Sequence, residues 1–89
     1  MNKIALITGA TSGIGKATAA AFAEAGINLI LCGRRQEILV ELQTYFSEKV
    51  KVITLNFDVR NQADVAKAID SLPDSWKNID YFSGEGRYK

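Results

Sequence analysis

Three glycines within eight residues, set between an apolar run and an alanine-rich stretch, constrain this chain most. The segment is Thr8-Gly9-Ala10-Thr11-Ser12-Gly13-Ile14-Gly15. Before it, Lys3-Ile4-Ala5-Leu6-Ile7 reads as a short buried strand over roughly 3–8. After it, Lys16 to Ala25 reads as the body of a helix over roughly 13–25. A glycine pattern alone is weak evidence; strand, glycine turn and helix in succession make it informative. Gly9 permits a tight turn, Gly13 lets backbone approach a phosphate, and Gly15 lets the helix pack closely on the strand. The start of the helix then presents unpaired N–H donors and the positive end of a dipole to an anion. Thr11, Ser12 and Ile14 complete the candidate set. The segment reads as a cradle for a nucleotide pyrophosphate.

The remaining chain continues the alternation. Gly26 stands where a C-terminal glycine stops a helix. Within that helix Ala17, Ala21, Phe22 and Ala25 recur at helical spacing and predict a narrow apolar stripe. Asn28-Leu29-Ile30-Leu31-Cys32 is continuously apolar, the mark of a strand buried on both faces. Ile38, Leu39, Leu42, Tyr45 and Phe46 predict a second amphipathic helix. Lys51 to Leu55 reads as a third strand, Asn56 to Asn61 as a turn, and Val65, Ala66, Ile69 and Leu72 as a third helix ended by Pro73. Ile79-Asp80-Tyr81-Phe82 reads as the start of a fourth strand. The pattern predicts an α/β fold, the first half of a Rossmann-like parallel sheet with strand order 3-2-1-4. Right-handed crossovers place the first two helices on one face. Residues 1–80 read as one half-domain and residues 81–89 as a divergent tail.

The end of the second strand is where ribose is read in such folds. An NAD site carries Asp or Glu there. This chain has Gly33 and then Arg34 and Arg35. Guanidinium forks suit a 2′-phosphate, so the residues favour NADP over NAD. Solvated arginines at a helix start are the plainer alternative, although cations there oppose the helix dipole. Asp58, after the third strand, has two equally good readings: an acceptor for an adenine amino group, or a turn residue bonding its own backbone.

Taken together, the glycine loop, Leu31-Cys32-Gly33-Arg34-Arg35 and Asp58-Val59 resemble the cofactor motifs of the short-chain dehydrogenase/reductase family, NADP type. The resemblance covers roughly residues 3–80. It implies hydride transfer between NADP(H) and an alcohol or carbonyl compound, and assigns Asp58 and Val59 to the adenine. Leu72 to Asp80 further resembles the branch that oxidises serine, allo-threonine and small 3-hydroxy acids. The resemblance stops after Asp80. The family's Asn-Asn-Ala-Gly motif is replaced by Tyr81-Phe82-Ser83-Gly84-Glu85-Gly86, and its catalytic Ser, Tyr-x-x-x-Lys and Asn have no matching positions. No catalytic residue is therefore assigned, and the chain alone is expected to be inactive. Tyr45-Phe46-Ser47-Glu48-Lys49 spells Tyr-x-x-x-Lys, but it closes the second helix, away from any nicotinamide. Tyr45 is expected to pack in the core.

Composition narrows the alternatives. The chain has 89 residues, enough for one small domain, and a net charge of +1, which gives no reason to expect nucleic acid as a partner. It has no His and one Cys, Cys32, so neither a zinc site nor an internal disulfide is expected. Cys32 sits in an apolar run and is expected to be buried and inert. The first apolar run is too short for a signal peptide, and none reaches the ~18 residues of a membrane helix. A cytoplasmic protein is expected. Half a sheet also leaves strand edges and apolar surface open, so self-association is a further expectation. Two other readings stand beside the dehydrogenase portion: a non-catalytic nucleotide-binding or interaction module, and a truncated product without its own function.

Overall fold

The computed structural model describes residues 3–58 and 60–83. Strand β1 (Ile4–Ile7) leads to helix α1 (Gly13–Glu24), and strand β2 (Asn28–Gly33) to helix α2 (Gln36–Phe46). Strand β3 (Val52–Asn56) leads to helix α3 (Gln62–Asp70), a 3-10 turn (Asp74–Trp76) and strand β4 (Tyr81–Ser83). All pairings are parallel and the order is β3-β2-β1-β4, as the alternating pattern predicts. Strand β4 begins later than the apolar pattern suggests, and it occupies the first three residues of the stretch read as tail.

The two faces of the sheet follow from side-chain alternation. Ala5, Ile7, Leu29, Leu31 and Val52 face one way, where Ala19 and Ala23 of α1 and Leu39 and Phe46 of α2 cover them. Ile4, Leu6, Ile30 and Cys32 face the other way, against Leu72, Ile69 and Trp76. Helices α1 and α2 thus share one face, as expected, while α3 and the 3-10 turn cover the second. Because both faces are covered, β1 is buried at every position, and its run is apolar throughout. Each fully buried aliphatic side chain contributes about 1.5–3 kcal/mol. Asp80 fixes the last pairing: its carboxylate accepts the Ile4 N–H at 2.9 Å, and its own N–H donates to the Ile4 carbonyl at 2.9 Å.

Two expectations need correction. The buried face of α1 is Gly15, Ala19 and Ala23, whereas Ala17, Ala21 and Ala25 are exposed and Phe22 is half-buried. Alanines stand on every side of this helix, so apolar periodicity cannot choose its inner face. The outward alanines, with Phe22 and Tyr81, line an open apolar groove between α1 and β4. The rings of Phe22 and Tyr81 meet there with centroids 5.3 Å apart. Tyr45 is the second correction. It is 71% exposed and meets Phe46 edge-on, because Leu39 and Phe46 already fill the inner face of α2.

Candidate nucleotide site

The glycine segment leaves β1 at the carboxyl edge of the sheet, between β2 and β4. There the strand order reverses, and open α/β sheets bind ligands in that crevice. Gly9 turns the chain with φ +65°, a conformation only glycine adopts freely. The Ala10 N–H donates to the Cys32 carbonyl at 3.0 Å, which ties the loop to the end of β2. The Ser12 hydroxyl donates to the Gly9 carbonyl at 2.8 Å and accepts the Gly15 N–H at 3.1 Å. Ser12 is therefore both the N-cap of α1 and the clasp of the loop. One of the orphan N–H groups of the first turn is spent on the cap, and those of Gly13 and Ile14 lie ahead of it.

The glycines differ in what their missing side chains allow. A Cβ on Gly15 would sit 2.0 Å from the Gly9 carbonyl oxygen and 2.9 Å from the Ala10 Cα. The close approach is thus to the loop backbone, which Gly15 lets the helix start touch. A Cβ on Gly13 would meet nothing within 4 Å. Gly13 faces open space at the helix start, the room a phosphate needs to reach backbone N–H groups. Gly33 has a third role: a Cβ there would be 3.1 Å from the Thr11 methyl, so Thr11 rests on the bare end of β2. Ile14 is 83% exposed.

Beyond Gly33 the chain turns into α2 through Arg34 and Arg35, both exposed. Arg35 is the N-cap of α2 and makes no side-chain cap bond. Two cations therefore stand at a helix start that also carries Glu37 in its first turn, and among the described residues Arg35 gives its N–H groups no side-chain acceptor. Asn56 holds this corner in place. Its side-chain amide donates to the Gly33 carbonyl at 2.9 Å, beside the Phe57 N–H at 3.0 Å.

Asp58 lies at the same edge. Arg60 donates to both carboxylate oxygens, from Nε to Oδ1 at 3.1 Å and from Nη2 to Oδ2 at 2.9 Å. The Arg60 N–H also donates to Oδ1, at 2.9 Å. These bonds, with the charges of Arg60 and Arg34, bring the Asp58 carboxyl down to about 2. Val59 lies outside the described residues.

The structure thus brings the loop from Gly9 to Gly15, the Arg34–Arg35 pair and Asp58 to one edge of the sheet. Sequence reasoning missed Asn56 and Arg60, both left without a role in the turn read over 56–61. The signal for Arg60 was present, an opposite charge two residues from Asp58. Nothing in the sequence marked the reach of Asn56 to Gly33.

Three other reactive side chains stand apart. Helix α2 ends where β3 begins, so Tyr45 and Lys49 sit at the amino edge of the sheet, opposite the glycine loop. There Lys49 pairs with Glu24 at the end of α1. Cys32 is buried, and burial pushes its thiol up to about 12. Among the described residues, no cluster of His, Cys, Asp or Glu could hold a metal ion.

A family model described as short chain dehydrogenase matches residues 3–83. The chain belongs to the short-chain dehydrogenase family. It is 49% identical over 79 residues to sulfoacetaldehyde reductase 2 of Chromohalobacter salexigens, covering 89% of this chain and 31% of that protein. It is 42% identical over 77 residues to the NADP-dependent 3-hydroxy acid dehydrogenase YdfG of Escherichia coli K12, covering 86% and 30%. Among solved structures, the closed form of a serine dehydrogenase complexed with NADP+ superposes with a TM-score of 0.76 at 40% identity, covering 89% and 31%. The chain therefore spans about a third of the length of these relatives.

Proposed function

We propose that this chain is the NADP(H)-binding portion of a short-chain oxidoreductase acting on small hydroxy acids, alcohols or carbonyl compounds. The observation that carries the reading is the pairing of an open helix start at Gly13 with Arg34 and Arg35 at the end of β2. The residues fit the cofactor because a Cβ-free face at Gly13 leaves room for a pyrophosphate. The N–H groups of Gly13 and Ile14 would bind its oxygens, with Thr11 and Ser12 shaping the loop. Arg34 and Arg35 would hold the 2′-phosphate, and Asp58 and Val59 the adenine. The NADP dependence of YdfG and the NADP+ complex of serine dehydrogenase support this assignment. When bound, NADP(H) supplies the hydride chemistry; the residues of this chain hold and orient its adenosine and phosphate end.

We assign no proton-transfer group to this chain. Tyr45 and Lys49 lie at the wrong edge of the sheet, and Cys32 is buried and protonated at neutral pH. We therefore expect the 89-residue chain to bind NADP(H) without turnover. Turnover of NADP+ with serine or 3-hydroxybutyrate by the purified chain would overturn that. Fluorescence titration with NADPH and NADH tests the binding. Arg34→Ala should weaken NADPH about tenfold or more, the size of a lost charge-assisted bond, and leave NADH nearly unchanged. Equal losses for both would sink the 2′-phosphate role. A lone buried thiol is consistent with a reducing cytoplasm, and among the described residues no helix is long and apolar enough to cross a membrane.

A second reading, self-association, is favoured by the apolar groove between α1 and β4 together with exposed Phe82. Light scattering across a concentration series tests it. A mass that stays monomeric at high concentration would dismiss it.

A further inference from the structure

The carboxylate of Asp58 is more fully engaged than a turn residue requires. An ionised carboxylate offers about four acceptor positions. Oδ1 receives two donors, the Arg60 N–H at 2.9 Å and Nε at 3.1 Å. Oδ2 receives one, Nη2 at 2.9 Å. The paired bonds from Nε and Nη2 hold carboxylate and guanidinium in one fork, which fixes the plane of the group as well as its position. Among the described residues, one acceptor position on Oδ2 is left. The Asp58 side chain is 34% exposed and lies at the carboxyl edge of the sheet, beyond the corner that Gly33 and Asn56 build.

We propose that Arg60 is a positioning residue that turns Asp58 into a discriminator between amino and oxo groups on the base of the bound nucleotide. A 6-amino purine brings an N–H donor to the remaining position on Oδ2. A 6-oxo purine brings an acceptor, which faces a fixed negative charge that cannot rotate away. Without the Arg60 guanidinium only the backbone N–H still holds Oδ1, and the carboxylate can turn about that one bond to offer a different edge or retreat into solvent. The inference rests on the nucleotide-binding reading and on the adenine role of Asp58. It adds the residue that gives that role its selectivity.

The test compares NADP+ with its hypoxanthine analogue, deamino-NADP+, by titration of the 89-residue chain. The ratio of the two dissociation constants is the readout. The native chain should prefer the adenine form by about tenfold, the scale of one charge-assisted bond made or left unmade. Arg60→Met should bring the ratio to about 1–2 while the circular dichroism spectrum stays native. Arg60→Lys should recover only part of the ratio, because an ammonium supplies charge without the fork. In Asp58→Asn the ratio should collapse or invert, since an amide can donate to the oxo group. The clamp is also read without nucleotide, from the carboxyl carbon resonance of Asp58. Arg60 and Arg34 are the charged groups facing it, and its midpoint near 2 should rise toward the ordinary aspartate value in Arg60→Met.

The outcomes separate. A native ratio retained in Arg60→Met, with Asp58→Asn collapsed, overturns the role of Arg60 alone. Equal losses for both nucleotides in Arg60→Met mean a merely structural role and overturn it as well. A ratio untouched by Asp58→Asn removes the adenine role and this inference with it. Failure of NADP+ itself to bind the native chain overturns the proposed function.

Discussion

Gly15→Ala and Gly13→Ala, two substitutions two residues apart, should behave oppositely. At Gly15 the added methyl would stand 2.0 Å from the Gly9 oxygen, 2.8 Å from the Gly9 carbonyl carbon and 2.9 Å from the Ala10 Cα. All three are backbone atoms, so no side-chain rotation relieves the clash. The Gly9 oxygen is further held by two donors from Ser12, the N–H at 3.0 Å and the hydroxyl at 2.8 Å. Loop and helix must separate by more than about 1 Å, which breaks the Ser12 clasp. Overpacking of this kind costs about 1–3 kcal/mol, and loss of the cap adds about 1 kcal/mol. The better helix propensity of Ala returns up to about 1 kcal/mol. A net loss of about 2 kcal/mol should lower the melting temperature of a domain this size by roughly 8–16 °C. At Gly13 the methyl meets nothing within 4 Å and φ is not positive, so stability should hold or rise slightly. Its methyl would instead fill the space left for a phosphate, and NADPH affinity should fall about tenfold or more. Circular dichroism melts and fluorescence titration read the two effects. A Gly15→Ala chain that melts with the native one would refute the packing argument. A Gly13→Ala chain that binds NADPH normally would refute the cradle.

The other expectations follow from single groups. Gly26 has φ +79° with open space around its missing side chain, so Gly26→Ala should cost about 1–2 kcal/mol from backbone strain alone, read by chemical denaturation. An unchanged midpoint would contradict the left-handed turn after α1. Cys32, buried and held protonated to about 12, should react with thiol reagents at pH 8 only as fast as the chain opens. Labelling faster than hydrogen exchange in β2 would contradict its burial. Asp58 is held low, so its contribution to stability is complete above the ordinary aspartate pKa and is lost as pH falls through about 2. The difference in urea midpoint between native and Arg60→Met chains should therefore shrink from pH 5 toward pH 2. A constant difference would mean that Arg60 acts on something other than that carboxylate.

By itself, the sequence determined the order of elements and the edge at which a ligand can bind. Continuous apolar runs in β1 and β2 call for cover on both faces, and with helical patterns alternating between them a parallel sheet with helical crossovers supplies it. The glycines after β1, the arginines after β2 and Asp58 after β3 must then share one edge, because every parallel strand ends there. These inferences need only local chain geometry, and the structure bears out the fold they imply. Tertiary structure decided what depends on which neighbour arrives first. The inner face of α1 was illegible because alanine surrounds the helix, and only the sheet beneath selects Ala19 and Ala23 over Ala17 and Ala21. Tyr45 matched the apolar spacing of α2 yet faces outward, since Leu39 and Phe46 fill the space the sheet leaves. Asn56 and Arg60 looked like ordinary turn residues. The reach of Asn56 exists only because β3 ends beside Gly33, a contact that no spacing along the chain encodes, while the two-residue spacing of Asp58 and Arg60 permitted a pairing that the fold of the turn then made.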